Sequence, residues 1–500
     1  MKKFFKKFGK YFILVFLLLI GLAAVGVLYL FFVPNSDLFG ITYISKNLLV
    51  ESDAYSVDKI NRITMESNNY KVNVITTTDK TVSVKVLNNS FGFVKKEVKD
   101  INITAEKVED TLSFKIGEPT GFALKNNSYI QLLIPENTEL DLELTNNAAE
   151  TTINSENLKF NDFKYTTKNG NATLSNVTIT GNADLKLGNS TFTTGTISMP
   201  NKDTSKINLY ITTGKFDASQ SVLGDVTVKE NVRGIINIKE CNIFYEEVPV
   251  AGGSINIETL LEAIIKTSDT NVKLGTVKDN VIITLTESGS VEISSIAYSS
   301  DIITNQGDVV VHASSCPQLV LQTDSGNITA NGLHNYVNAL TTHGQINLNW
   351  SEEAAHHNPE TNPNARHLRA VISGNGKVSA TGVENVAVEV QSNGRVDLKM
   401  STISGKNKIS GAKGSVNLLV DSNAKYALKT TSESGNVKVN LMQVPNFQGY
   451  TDLNHEIVYV NSNKADYPTA ENLAEWADTT NLLEVSTSSG SLTILNPTLN

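Results

Sequence analysis

The chemistry-bearing residues of this chain are few, and Glu292 and Asp308 come nearest to a catalytic pattern. If they occupy consecutive turns of a stacked fold, their backbones lie about 8 Å apart, within the about 6.5–9.5 Å typical of inverting glycosidase carboxyls. Acids scattered along a solvated surface produce such pairs by chance, and no third acid or aromatic platform stands beside these two. His356, His357 and His367 lie near Glu352 and Glu353, a set with metal-ligating types. It lacks the H-E-x-x-H spacing, and neighbouring His356 and His357 cannot easily share one ion, so a solvated loop is expected. G-x-S-x-G, P-loop and GGxGxD patterns are missing. The expectation is no catalytic residue, no cofactor, no metal and no enzymatic activity.

Composition points the same way. Of 500 residues only 19% are charged and 7% aromatic, and the polar remainder is rich in Asn, Thr, Ser and Gly, which favours strands and turns. Net charge is −9, although Lys2, Lys3, Lys6, Lys7 and Lys10 all fall in the first ten residues, which leaves −14 for the rest. Such an acidic body repels phosphate backbones, so no nucleic-acid partner is expected.

Residues 11–33, YFILVFLLLIGLAAVGVLYLFFV, carry no charge. As a helix they would be about 34 Å long, enough to cross a bilayer. The run exceeds the usual h-region of a signal peptide and no A-x-A site follows, so an uncleaved anchor is expected. The preceding lysines place the N-terminus in the cytoplasm and the remainder outside. The expected location is therefore the cell membrane, in a single pass, with an extracytoplasmic C-terminal domain.

The elements that would hold any site emerge from self-comparison. A glycine followed by alternating apolar residues, in most copies with Thr, Ser or Asn shortly before it, recurs at Gly170, Gly188, Gly214, Gly234, Gly253, Gly289, Gly307, Gly326, Gly344, Gly376, Gly394, Gly414, Gly435 and Gly490. Gly289, Gly307, Gly326 and Gly344 are 18, 19 and 18 apart. Two and four residues beyond the glycines stand apolar side chains, as at Val291 and Ile293 or Val396 and Leu398, with Ser190 the polar exception; the residue between is polar except at Val310. This is strand alternation in phase with the glycine. Each unit of 18–21 residues reads as strand, glycine corner, strand, return turn. It buries its apolar side only by stacking on copies about 4.8 Å away. The fold expected is all-β, a parallel β-solenoid preceded by one transmembrane helix. The glycines are expected to supply positive φ at the corners.

The resulting map is a basic tail 1–10, an anchor 11–33, a strand-rich cap with first strands 34–140, solenoid repeats 141–440 with an insertion at 351–369, and a further insertion with a C-terminal capping rung at 441–500. A short helix bearing Leu473 and Trp476 is expected in the last segment. Residues 258–266, ETLLEAIIK, read as helix by propensity and as strand by repeat position. Cys241 and Cys316 fall about four rungs apart, roughly 19 Å, beyond disulfide reach, so two buried free thiols are expected.

The repeated T-x-S-G-N-[IV]-x-[AV] units, as at Thr323–Ala330 and Thr431–Val439, and the phrase YIQLLIPENTELDLELTNN resemble the bacterial putative-adhesin family over about residues 41–496. Where that family has a glycine after the proline phrase, this chain has Asn146-Asn147-Ala148. The resemblance implies an envelope β-solenoid domain of unknown function and no catalytic residues. The expected role is surface adhesion or interaction with a glycan or surface-protein ligand, with lateral self-association open. The alternative is an envelope scaffold or stress-sensing component acting with membrane partners. A lesser alternative is a carbohydrate-active enzyme built on Glu292 and Asp308.

Overall fold

The computed structural model describes residues 2–33, 36–95, 101–117, 121–201, 204–245, 252–421, 426–432, 434, 437–440, 447–451, 457–461 and 481–495. One apolar helix, Lys2–Phe32, precedes an all-β chain whose rungs form a parallel solenoid of about 14 turns. The chain divides into two compact units, Met1–Ile207 and Asn208–Asn500.

In the second unit the alternating pattern becomes in-register stacking. Val291, Val309, Ile328, Ile346, Val378, Val396 and Val416 pair rung upon rung, and all are buried. Ile293, Val311, Ala330, Leu348, Ala380, Leu398 and Leu418 form the parallel column two residues on. One rung leaves an apolar face exposed; stacking buries it, at about 1.5–3 kcal/mol for each large aliphatic side chain. The ambiguous 258–266 segment is strand, split between Ser254–Leu260 and Ala263–Asp269. Its neighbours in the stack supply partners for both rung edges, which outweighs local helix propensity.

The corner glycines require a correction. Gly253, Gly289 and Gly307 have φ of 94°, 138° and 147°, but the other corner glycines among the described residues do not share this feature. Several corners share close approach of backbone instead. A Cβ at Gly344 would collide with the Gly326 carbonyl oxygen, and one at Gly326 with that of Gly307; Gly414 and Gly490 stand in the same relation to Gly394 and Gly414. At these four glycines the neighbouring backbone is too close for a side chain to be added without a shift.

Some corners carry a residue other than glycine, Ala149 level with Gly170 among them. Ala172 pairs with Phe192, so the residue level with Gly170 is buried Ser190, and Gly188 is not a corner of this column. The apparent polar exception thereby disappears. Val272 pairs with both Ile255 and Val291, so Thr270 is the corner of a rung that the glycine spacing passes over. Gly435 lies outside the described residues, as does the segment carrying Leu473 and Trp476.

In both units, order in space departs from order in sequence. In the first, Arg62–Ser67 pairs with Thr111–Gly117 on one side and Glu139–Asn146 on the other, and Lys71–Thr77 lies between Tyr129–Pro135 and the start of Thr151–Thr167. The chain builds one rung, passes outward, then crosses back. Thr81–Lys95 and Ile41–Glu51 add antiparallel strands beyond Tyr129–Pro135 and cover that edge. Near the end of the second unit, Leu482–Thr487 lies between Lys406–Gly411 and Ala427–Ser432, and Leu492–Leu495 lies between Val416–Val420 and Val437–Asn440. The expected C-terminal capping rung is thus an interior one. The antiparallel strands Phe447–Thr451 and Ile457–Asn461 lie beyond Ala427–Ser432 instead.

Asn146 shows how a corner without glycine is held. It is fully buried, and its Nδ2 donates to the Tyr70 carbonyl at 3.1 Å, the Ala149 carbonyl at 3.2 Å and Thr151 Oγ1 at 3.0 Å. Thr167 and Asn231 do related work at their own corners, each accepting from the amide of the glycine three residues on.

Candidate functional site

The residue between the two core positions of each rung points outward, and stacking aligns these residues into a polar column. Ser379, Asp397, Asn417 and Thr493 are level with one another on successive rungs and line a groove of about 430 Å³. Asp397 is its electrostatic centre. It accepts from Arg395 Nε at 2.7 Å and Asn417 Nδ2 at 2.8 Å, and pairs with Lys377 Nζ at 3.0 Å. Partial burial pushes its pKa up, but these three partners outweigh that and hold it below the ordinary carboxylate value.

A second groove of about 430 Å³ occupies an earlier stretch of the same column, around Asn237, Asn256 and Lys273. Asn256 Nδ2 donates to Asn237 Oδ1 at 2.8 Å, and Lys273 Nζ contacts both oxygens of Glu292 at 3.1 Å. The result is a row of amides, hydroxyls and compensated charges on a rigid pleat, able to hydrogen-bond a polar surface at regular intervals.

The structure does not assemble a carboxylate pair from Glu292 and Asp308. Glu292 is turned to Lys273 and to His312 Nε2, at 3.3 Å, and these two hold its pKa below the ordinary value. Asp308 accepts from the backbone and side chain of Asn327.

The 351–369 insertion is shorter and better packed than a solvated loop. His367–Ile372 has already rejoined the stack, with Leu368 paired to Val337 and Val386. Arg366 and Glu384 are the charged residues that the fold buries among the described ones, with Arg366 Nε 3.6 Å from Glu384 Oε1. The guanidinium donates to the carbonyls of Ser351, Glu352, Ala354 and Gly382. Glu384 accepts from Ser401 Oγ at 3.0 Å and the His357 amide at 2.8 Å, and contacts His356 Nδ1 at 2.6 Å.

The histidines therefore fasten the insertion to the stack. His357 Nδ1 lies 2.9 Å from Ser404 Oγ, and the His367 ring packs on Tyr336 with centroids 4.7 Å apart. Burial lowers both pKa values; Glu384 pulls His357 partly back, and the Pro363 carbonyl does the same for His367. Glu352 and Glu353 stay exposed, and no metal-binding group of three or more His, Cys, Asp or Glu occurs among the described residues.

No motif in the sequence points to Arg366, Glu384, Ser401 or Ser404. A signal did exist in one place: a lone arginine closing a long polar insertion can satisfy several return-turn carbonyls at once. Cys241 and Cys316 are free and buried, as the rung count required, and burial pushes both thiols up in pKa.

Stacked polar columns on a β-solenoid that follows one long apolar helix define a scaffold for displaying polar groups at a regular spacing. Residues 60–257 match the family Toastrack DUF4097. That match covers less than half of the chain. Structural matches include a putative cell adhesion protein from Clostridium sporogenes (9% identity, 90% of this chain and 100% of that one, TM-score 0.14). They also include a putative adhesin from Parabacteroides distasonis (13%, 71% and 98%, 0.18) and one from Bacteroides fragilis (11%, 71% and 98%, 0.16). No curated protein matches this chain.

Proposed function

We propose that this is a membrane-anchored, extracytoplasmic interaction protein of adhesin type, without catalytic activity, whose polar column engages glycan or protein surfaces. The carrying observation is the in-register set Ser379, Asp397, Asn417 and Thr493 lining one groove, with an equivalent stretch of the column lining another. Sugar hydroxyls are matched by side-chain amides, which donate and accept, and by carboxylates, which accept; several weak sites on one rigid face multiply into useful avidity. The apolar helix Phe8–Phe32, preceded by lysines, supports anchoring with the solenoid outside.

The test is binding of the full-length protein, in lipid nanodiscs, to isolated cell wall, to membranes of the producing organism and to foreign cell surfaces. Saturable binding to wall or foreign surfaces is expected, weakened about tenfold, or about 1.4 kcal/mol, by Asp397→Ala with Asn417→Ala. Binding confined to the organism's own membranes, or unchanged in the double variant, would replace this reading with an envelope scaffold.

A further inference from the structure

The hairpin that follows the apolar helix has an unusual tip. Leu38 and Ile41 exchange both backbone hydrogen bonds, at 2.9 and 3.0 Å, so Phe39 and Gly40 form a two-residue turn. Both have positive φ, 54° and 76°. Turns of this kind favour Asn or Gly at the first position, and a bulky aromatic there is a genuine conformational outlier. Phe39 gains no packing in return, because it is 95% exposed.

Strain in an exposed side chain calls for a surrounding that rewards it. The position of the turn identifies that surrounding. Leu38 lies so close to the helix that a Cβ on Gly26 would meet its Cδ2 at 2.8 Å. Gly26 is six residues before the last helical residue, Phe32, or about 9 Å back along the axis. The turn therefore folds back beside the helix and does not continue away from it. Leu30, one turn on from Gly26, is buried at 7% exposure, whereas Leu28, Tyr29, Phe31 and Phe32 around it are exposed. The arrangement is tied by Thr42 Oγ1, which donates to the Ser36 carbonyl at 2.7 Å, and by Tyr43, whose ring lies 4.6 Å from Phe31 and 5.4 Å from Phe93.

We propose that the turn Leu38 to Ile41 is a second membrane contact, with Phe39 seated in the outer-leaflet interface at the boundary of headgroups and acyl chains. The partner is the lipid surface itself. Segments lying in that interface bury Trp, Phe and Leu side chains about 5–10 Å into the headgroup and acyl boundary, where an apolar body and a polar backbone are both accommodated. Headgroup water reaches the amides of Phe39 and Gly40 there, as it could not in the hydrocarbon core. The hairpin thus fixes the tilt and rotation of the helix as it leaves the bilayer. This rests on the reading that residues 11–33 cross the membrane.

The test uses full-length protein in phospholipid vesicles, with Phe39→Cys carrying an NBD fluorophore. Cys241 and Cys316 are buried and stay unlabelled. Tyr298→Cys, between two strands of the solenoid and 63% exposed, is the control. A blue-shifted NBD emission at 39, quenched by doxyl-labelled lipid and not by aqueous iodide, is expected, with the reverse at 298. Iodide quenching at 39 in carbonate-resistant protein would overturn the hairpin contact and leave the anchor standing. Protection from both quenchers would also overturn it, by showing that a second copy covers the turn. Loss of the chain on carbonate extraction would overturn the anchor, and this proposal with it.

Discussion

At the scale of single residues, the insertion depends on one buried charge pair. Arg366 is held by four carbonyls and by Glu384, whose side chain is wholly buried. Removing one partner of such a pair strands the other in a low-dielectric site, typically at a cost of about 3–5 kcal/mol. The remaining carbonyl partners of Arg366 place Glu384→Ala at the lower end, about 3 kcal/mol. Urea unfolding should show that loss, with faster proteolysis inside 351–366, whereas Glu352→Ala on the exposed part of the loop should stay within about 0.5 kcal/mol. Glu352 and Glu353 stand out in the sequence because they precede histidines. The acid that matters is 28 residues from His356 and meets it only because the stack brings a later return turn under the loop.

At the scale of the element, the glycine period and the apolar alternation made the strands and their inward faces legible, since both are local properties of each rung. The reason for the glycines was not legible, because it lies in the neighbouring rung. At Gly344 a Cβ meets backbone, the Gly326 carbonyl, which cannot move without disturbing a ladder on either side. At Gly411 it meets the Val416 Cγ2 methyl at 3.1 Å, part of a side chain that can give. Gly344→Ala should therefore cost at least about 1–3 kcal/mol by overpacking. Gly411→Ala should change stability by less than about 1 kcal/mol in either direction. Thermal unfolding of the two variants side by side checks the contrast. Ser190 and Thr270 are invisible as corners in the sequence for the same reason: only cross-rung register shows that they occupy that column.

At the scale of the molecule, the order of rungs is a property that no repeat in the sequence encodes, because equivalent strands have the same pattern wherever they are placed. The intercalated C-terminal strands give that order a consequence for stability. Ala427–Ser432 and Val437–Asn440 take their parallel partners from Leu482–Thr487 and Leu492–Leu495, not from the rung that precedes them in sequence. Lys406–Gly411 and Val416–Val420 face the opposite edges of those same strands. Were the C-terminus a simple cap, deleting residues 482–500 would expose one rung and leave 427–440 in place. With the observed order, the deletion removes the layer joining Ala427–Ser432 and Val437–Asn440 to the stack, and a single rung lacks the buried area to persist alone. Hydrogen exchange of the truncated protein should then show lost protection across 427–440 and partial fraying of 406–420. Protection across 376–400 should be retained, since those strands keep partners on both sides. Full protection of 427–440 after the deletion would mean that the rungs stack in sequence order and that the C-terminal strands lie outside them.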